Sequence, residues 1–196
     1  MTELVFVGTG GQARELQALN DALGEEWDAI GFVDDDPAKA GTEVHGLPVL
    51  GDVEWLASHH QLAVVIGAAI SPARRHLVER IRSFGPRQFP TLVHPASSVG
   101  APIALGSGVF VCPGAALSTD ITVGDHVLLS SGCTVAHDVV IENFVTVGPG
   151  ANISGSVHVG EGADIGTGAS VIQAVDIGEW SVIGAGAVII LSLIHI

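Results

Sequence analysis

Two adjacent residues carry the plainest chemistry in this chain: His137 and Asp138, in the stretch Ser130-Ser-Gly-Cys-Thr-Val-Ala-His137-Asp138-Val-Val-Ile141. An imidazole titrates near neutral pH, so it can accept a proton from one group and return it to another at modest cost. A carboxylate beside it fixes the tautomer and stabilises the imidazolium. The same pair also fits an exposed, inert corner of a repeat, and the two residues alone leave both readings open. A second candidate set lies near the start. Gly8-Thr-Gly10-Gly11-Gln12-Ala13 follows the apolar run Leu4–Gly8, and such a turn lets a phosphate approach the backbone at a helix N-terminus. Asp34 and Asp35, at the end of the run Ala29–Val33, are placed to accept hydrogen bonds from ribose hydroxyls or a base. Alone, the GxGxxA spacing fits a dinucleotide site, a mononucleotide site, or a turn that only packs helix against strand.

The elements that must position His137 are written in a period of six. From Val99 to Val188 every sixth residue is aliphatic (Val99, Leu105, Val111, Leu117 and onward to Ile183, then Ile189), with no insertion across fifteen units. Four residues after each stands a small or β-branched residue such as Ile103, Ala115 or Cys133, and only Ser181 among these is polar. Glycine often follows the aliphatic residue directly, as at Gly100, Gly124 and Gly166. A period of six fits neither a helix nor an alternating strand and predicts a parallel β-helix. Three units make one coil, so residues eighteen apart stack, and five coils at the strand spacing give a prism roughly 24 Å tall. Glycine and Asn/Asp are expected at the corners, where positive φ is cheapest for them. The phase places Thr119, His137 and Gly155 on one corner and Thr167 and Ala185 on another. Corners of one prism cannot jointly line a cleft, but corners of neighbouring prisms can. A site using both would lie between subunits of a symmetric oligomer.

The first ninety residues lack the repeat and read as βαβ. Strands are expected at Leu4–Gly8, Ala29–Val33, Leu62–Ile66 (ending at Gly67) and Phe89–Val93, with a helix from near Gln12 and another containing Arg74 and Arg75. Arg74 could pair with a phosphate bidentately. The net charge of −14, with only seven Lys and Arg, argues against nucleic acid and anionic membranes as partners. Polar residues and glycine interrupt every apolar stretch, so no signal peptide or membrane span is expected. Cys112 and Cys133 lack metal-ligand spacing, and a reduced, cytoplasmic setting follows. His126 and His158 differ from His137 in coil phase, so the three cannot form a metal cluster in one chain. His45, His59, His60 and His76 are read as solvated surface.

With both halves in view, the chain resembles bacterial sugar acetyltransferases of the hexapeptide-repeat superfamily, including UDP-4-amino-sugar N-acetyltransferases and sialic-acid O-acetyltransferases. The likeness runs through GTGGQARE, FVDDD, GLPVLG, VVIGA, LVHPAS and the hexads. It implies a Rossmann-like nucleotide-sugar-binding domain over 1–95 and a left-handed β-helix acyltransferase domain over 96–190. It further implies a homotrimer with acetyl-CoA as donor, a nucleotide-activated or free sugar as acceptor, and no metal. By resemblance His137 is the general base that deprotonates the sugar amine or hydroxyl as it attacks the thioester, and Asp138 orients it. The acceptor contacts map to Gly10, Gly11, Gln12, Asp34, Asp35, Gly67 and Arg74. The acetyl-CoA contacts map to Thr146, Gly155, Thr167 and Ala185, with Gly155 leaving room for the thioester above His137.

Three features depart from the family pattern. Gln12 and Thr146 stand where relatives carry histidines, and glutamine can hydrogen-bond a substrate but cannot act as acid or base. Relatives also continue past the GAGAV unit with a capping segment. Here Ile189-Ile-Leu-Ser-Leu-Ile-His-Ile196 lacks corner residues, and 191–196 reads as a non-native tail of a truncated chain. No nucleophile is evident beside His137, which favours direct attack in a ternary complex. Two other functions compete: a non-catalytic nucleotide-sugar-binding assembly protein, and a metal-dependent β-helix enzyme of the carbonic anhydrase type.

Overall fold

Side chains eighteen residues apart meet across parallel strands throughout the repeat: Leu129 pairs with Val147, Val135 with Ile153 and Ile141 with Val159. The structure, a computed structural model, describes residues 2–192; the rest of the tail anticipated at 191–196 lies outside the described residues. The chain divides into two compact units, Met1–Ala69 with Ala73–Pro90, and Ile70–Pro72 with Thr91–Ile196.

The second unit is a parallel β-helix with three flat faces. The Leu128 face stacks six strands from Leu92–Val93 to Val182–Ile183, and the Thr134 face six from Ser98–Val99 to Val188–Ile189. The His158 face stacks five from Ile103–Leu105 to Asp176–Ile177. Both apolar positions of the hexad point inward and form one core, in which Val111, Leu129, Val147, Ile165, Cys133 and Val157 are each at most 2% exposed. Each fully buried aliphatic side chain contributes about 1.5–3 kcal/mol relative to exposure, so the column of repeats supplies the unit's stability.

Glycine serves two separate purposes here. Positive φ falls on the third residue after the aliphatic one, at every turn from Gly108 to Gly186. At the corner between the Leu128 and Thr134 faces that residue is always glycine (Gly114, Gly132, Gly150, Gly168, Gly186). At the corner between the Thr134 and His158 faces it never is: Asp120, Asp138, Ser156 and Ala174 occupy it. The third corner admits even rings, at His126, Phe144 and Trp180, so positive φ is not reserved for glycine and Asx as the sequence suggested. Stacking offsets the backbone cost there: His126 lies on Phe144 with centroids 5.2 Å apart. The glycine directly after the aliphatic residue has ordinary φ and a different reason. A Cβ on Gly166 would fall 2.6 Å from the carbonyl oxygen of Ile183 and 2.7 Å from the amide of Ala185, in the coil above.

In the first unit a parallel sheet is built from β1 (Thr2–Val7), β2 (Trp27–Val33), β4 (Leu47–Gly51) and β5 (Ala63–Ile66), with β3 (Glu43–Val44) antiparallel at one edge, in the order β3-β4-β2-β1-β5. Helix α1 (Gly11–Ala22) follows β1, and α2 (Ser71–Ser83) follows β5, its first two residues, Ser71 and Pro72, belonging to the second unit. Continuous apolar runs such as Leu4–Val7 and Ala63–Ile66 are buried on both faces, as a covered parallel sheet requires. The hairpin β3–β4 turns at His45 and Gly46, both with positive φ, a two-residue geometry suited to strand twist. The strand anticipated at Phe89–Val93 does not join this sheet. Pro90 has no N–H to give a ladder; Gln88 makes one bridge to Ala63, and Leu92–Val93 instead forms the first rung of the Leu128 face against Phe110–Val111. The repeat therefore begins one unit before Val99. Among the described residues no helix is long and apolar enough to cross a membrane.

Two measurements check this account. Gly168→Ala has no steric neighbour but keeps φ at +67°, so it should lower stability by about 1–2 kcal/mol. Gly166→Ala must push one hydrogen-bonded coil away from the next and should lower it more, read from denaturant midpoints. The Cys133 thiol, pushed up to about 12 first by burial and then by the neighbouring Cys112, holds its proton more tightly folded than unfolded. Its contribution to stability is complete below about pH 9.0, the ordinary value, and falls as pH rises toward 12. Cys133→Ala should flatten the alkaline limb of a stability–pH profile.

Candidate active site

His137 stands at the corner between the Thr134 and His158 faces, in a column with Thr119 below and Gly155 above. The backbone ties that column together: Asp138 N–H donates to Thr119 O at 3.2 Å, Ser156 N–H to His137 O at 2.9 Å, and Ala174 N–H to Gly155 O at 3.0 Å. Asp138 is one of the non-glycine residues at positive φ (59°), a conformation that Asp tolerates better than most. Its carboxylate meets His137, with Oδ2 2.8 Å from Nδ1. A carboxylate only accepts, so Nδ1 carries the hydrogen, and whenever the ring is neutral Nε2 holds the lone pair. Both side chains are more than half exposed, so the pair orients the ring without adding much to stability.

The imidazole lies over Gly155. A Cβ on that glycine would fall 2.6 Å from His137 Cε1 and 2.7 Å from Nε2. The imidazole therefore occupies the space that a side chain at 155 would take.

The other anticipated donor contacts lie elsewhere on the prism. Thr167 and Ala185 stack on the corner between the Leu128 and Thr134 faces, where Gly186 N–H donates to Thr167 O at 2.8 Å. Thr146 is on the Leu128 face, 7% exposed, with Oγ1 3.2 Å from the hydroxyl of buried Ser71. Within one chain, then, His137 and Gly155 come together and Thr146, Thr167 and Ala185 do not join them. Charge separates the corners too. From Thr91 to Ser192 there is no Lys or Arg, while acids stand at both other corners (Asp120, Asp138, Asp125, Glu142). The corner of Thr167 and Ala185 carries no acidic or basic residue from Cys112 onward.

In the first unit a cavity of about 600 Å³ opens beyond the ends of β1 and β2, lined by Thr9, Gly10, Arg14, Asp34, Asp36, Lys39, Glu43, Val44 and His45. Gly10 is the N-cap of α1 and makes no side-chain cap, so the amides of the first turn remain available to an anion. Asp34 holds the loops in place: Oδ2 accepts from Thr9 N–H and Thr9 Oγ1, each at 2.7 Å, and Oδ1 from Asp36 N–H at 2.9 Å. Of the anticipated acceptor contacts, Gly10 and Asp34 line the cavity. Asp35 turns away to Arg80 (2.5 Å) and Val53 N–H. The Arg80 hydrogen bond holds its carboxyl below the usual carboxylate range. Gly67 packs, since a Cβ would sit 2.4 Å from that of Ala13. Arg74 is buried and its Nη1 donates to the carbonyls of Ala68 and Ala69 at 2.9 and 2.8 Å. Gln12 Nε2 is buried without a hydrogen-bond partner among the described residues.

Several lining residues escaped the sequence reading. His45, assigned to solvated surface, borders the cavity because the hairpin brings it there, and Gln17 Nε2 clamps its carbonyl at 3.1 Å. Lys39 and Glu43 arrive on the same excursion; Gly46 after His45 was the available hairpin signal. His59 is not simply solvated either, since it stacks on Trp55 at 3.5 Å. His126 is buried and His158 pairs with Glu142 at 2.9 Å.

Comparison with known proteins adds to this geometry. The PglD N-terminal domain family matches residues 3–81, and no curated protein matches. Among solved structures, PerB from Caulobacter crescentus in complex with CoA and GDP-perosamine is 32% identical, with a TM-score of 0.88 over 99% of this chain and 91% of that one. The acetyltransferase domain of PglB from Neisseria gonorrhoeae is 31% identical, with a TM-score of 0.87 over 98% and 93%. WeeI from Acinetobacter baumannii is 29% identical, with a TM-score of 0.88 over 97% and 93%. The chain belongs to the bacterial sugar acetyltransferases. In this acetyltransferase the likeness extends through both units, since each of these matches covers at least 97% of the chain.

The ring geometry can be checked directly. With the imidazole neutral, ¹⁵N shifts of His137 should report protonation at Nδ1; in Asp138→Ala that preference should collapse into a mixture of tautomers.

Proposed function

We propose that this protein transfers an acetyl group from acetyl-CoA to an amino or hydroxyl group of a nucleotide-activated sugar, with His137 as general base and Asp138 as its orienting partner. The observation that carries the reading is the pair itself: Nδ1 tied to a carboxylate and Nε2 left basic on an exposed corner, in a chain of this family. The acceptor atom attacks the thioester carbonyl carbon while its proton passes to His137 Nε2. The carbon–sulfur bond breaks, and the sulfur leaves as CoA thiol with the proton returned from the imidazolium.

The cavity of the first unit takes the nucleotide portion. The amides of Gly10 and Gly11 at the start of α1 face phosphate, and Arg14 and Lys39 add positive charge. Gly67, Asp35 and Arg74 support this site through packing and loop contacts. The donor lies along the uncharged corner of Thr167 and Ala185, where a polyanion meets no carboxylate; the commitment of Thr146 to Ser71 keeps that hydroxyl out of the contact. Because His137 and this corner are apart on one prism, two copies must contribute to each site, which a homotrimer provides. Relatives support both ligands: PerB was solved with CoA and GDP-perosamine, and the PglB domain with acetyl coenzyme A. Cys112 and Cys133 are both buried in the prism, and the working compartment of the proposed reaction is the reducing cytoplasm.

The test is thiol release from acetyl-CoA, screened against UDP- and GDP-linked amino sugars and against free or activated sialic acids. Release should depend on an acceptor, and His137→Ala should lower kcat by about 10²–10⁴-fold. Undiminished turnover in a folded His137→Ala variant would remove the assignment.

A further inference from the structure

Gly155 needs another explanation than its backbone. Its φ lies outside the left-handed region that favours glycine. The same corner position in the other coils holds Ala101, Thr119, His137 and Gln173, none of them glycine. This corner therefore accepts a Cβ in every other coil, and glycine stands only in the coil on which the histidine ring lies. A Cβ there would overlap the ring: 2.6 Å from Cε1, 2.7 Å from Nε2 and 3.1 Å from Nδ1. Asp138 meanwhile anchors the imidazole at Nδ1, and its positive φ sets where that anchor stands.

We propose that Gly155 is a positioning residue for the reaction: its bare Cα is the seat of the His137 imidazole, and together with Asp138 it fixes the direction of Nε2. The inference rests on the reading of His137 as general base. Because His137 is half exposed, a Cβ at 155 can displace the ring into solvent at little expense to folding. The damage then falls on the alignment of the base, and misplacement of a reacting group by about 1 Å lowers rates by about 10²-fold.

The experiment compares Gly155→Ala, His137→Ala and the double variant in the full chain, by thiol release, by denaturant midpoint and by ¹⁵N shifts of His137. Gly155→Ala should keep its midpoint and both KM values within about twofold, lose about 10–10²-fold in kcat, and lose the Nδ1-protonated signature. Normal kcat in folded Gly155→Ala, while His137→Ala is inactive, overturns the positioning role and leaves the base intact. A raised acetyl-CoA KM with normal kcat overturns it in favour of a donor contact. Full activity in His137→Ala removes the base reading on which the inference rests. Should Gly155→Ala unfold, the double variant decides: removing the ring removes the clash, so recovered stability supports the seat and continued unfolding refutes it.

Discussion

Backbone hydrogen bonds between residues eighteen apart are the constraint on which the prism depends. Each coil donates to the next along all three faces, so a single inserted residue would shift every later aliphatic side chain out of the core. The uninterrupted hexad is the record of that requirement. It also turns spacing into geometry: any two residues separated by eighteen are neighbours, whatever their chemistry. His137 and Gly155 meet for this reason alone, and no long-range interaction has to be invoked to bring the imidazole to the glycine.

The same constraint gives each corner its own residue types. Where the turn residue is always glycine, the surface is small, uncharged and rich in exposed backbone. Where it is Asp, Ser or Ala, the side chains at positive φ project beside the column and one of them reaches the imidazole. In a chain of net charge −14, the corner of Thr167 and Ala185 is a strip without acidic residues from Cys112 onward. No Lys or Arg occurs from Thr91 to Ser192 either, so the strip presents backbone groups and hydroxyls rather than ionic ones.

The first unit follows different rules, because loops rather than a repeat shape its cavity. The expectation of a glycine turn, a helix from near Gln12 and an acidic strand end was correct in outline. Asp34 and Asp35 could not be told apart from sequence, since both end the same strand; opposite pointing of successive side chains sends one to Thr9 and the other to Arg80. Arg74 looked like a phosphate ligand because it is an arginine after a strand end. Its burial against the carbonyls of Ala68 and Ala69 depends on how α2 leaves β5, which no local pattern reports.

What the sequence determined by itself was everything that periodicity controls: the prism, its columns, the pairing of His137 with Gly155, and the separation of Thr167 and Ala185 from them. Period and phase are sums over many weak, consistent preferences, and a ladder of backbone bonds converts them into position. Tertiary structure alone decided which way individual side chains turn. It laid the imidazole on Gly155, brought Asp138 to Nδ1, committed Thr146 to Ser71 and carried His45 to the cavity rim. Those outcomes depend on contacts of a few ångströms whose direction carries no period, so they become legible only when the chain has closed on itself.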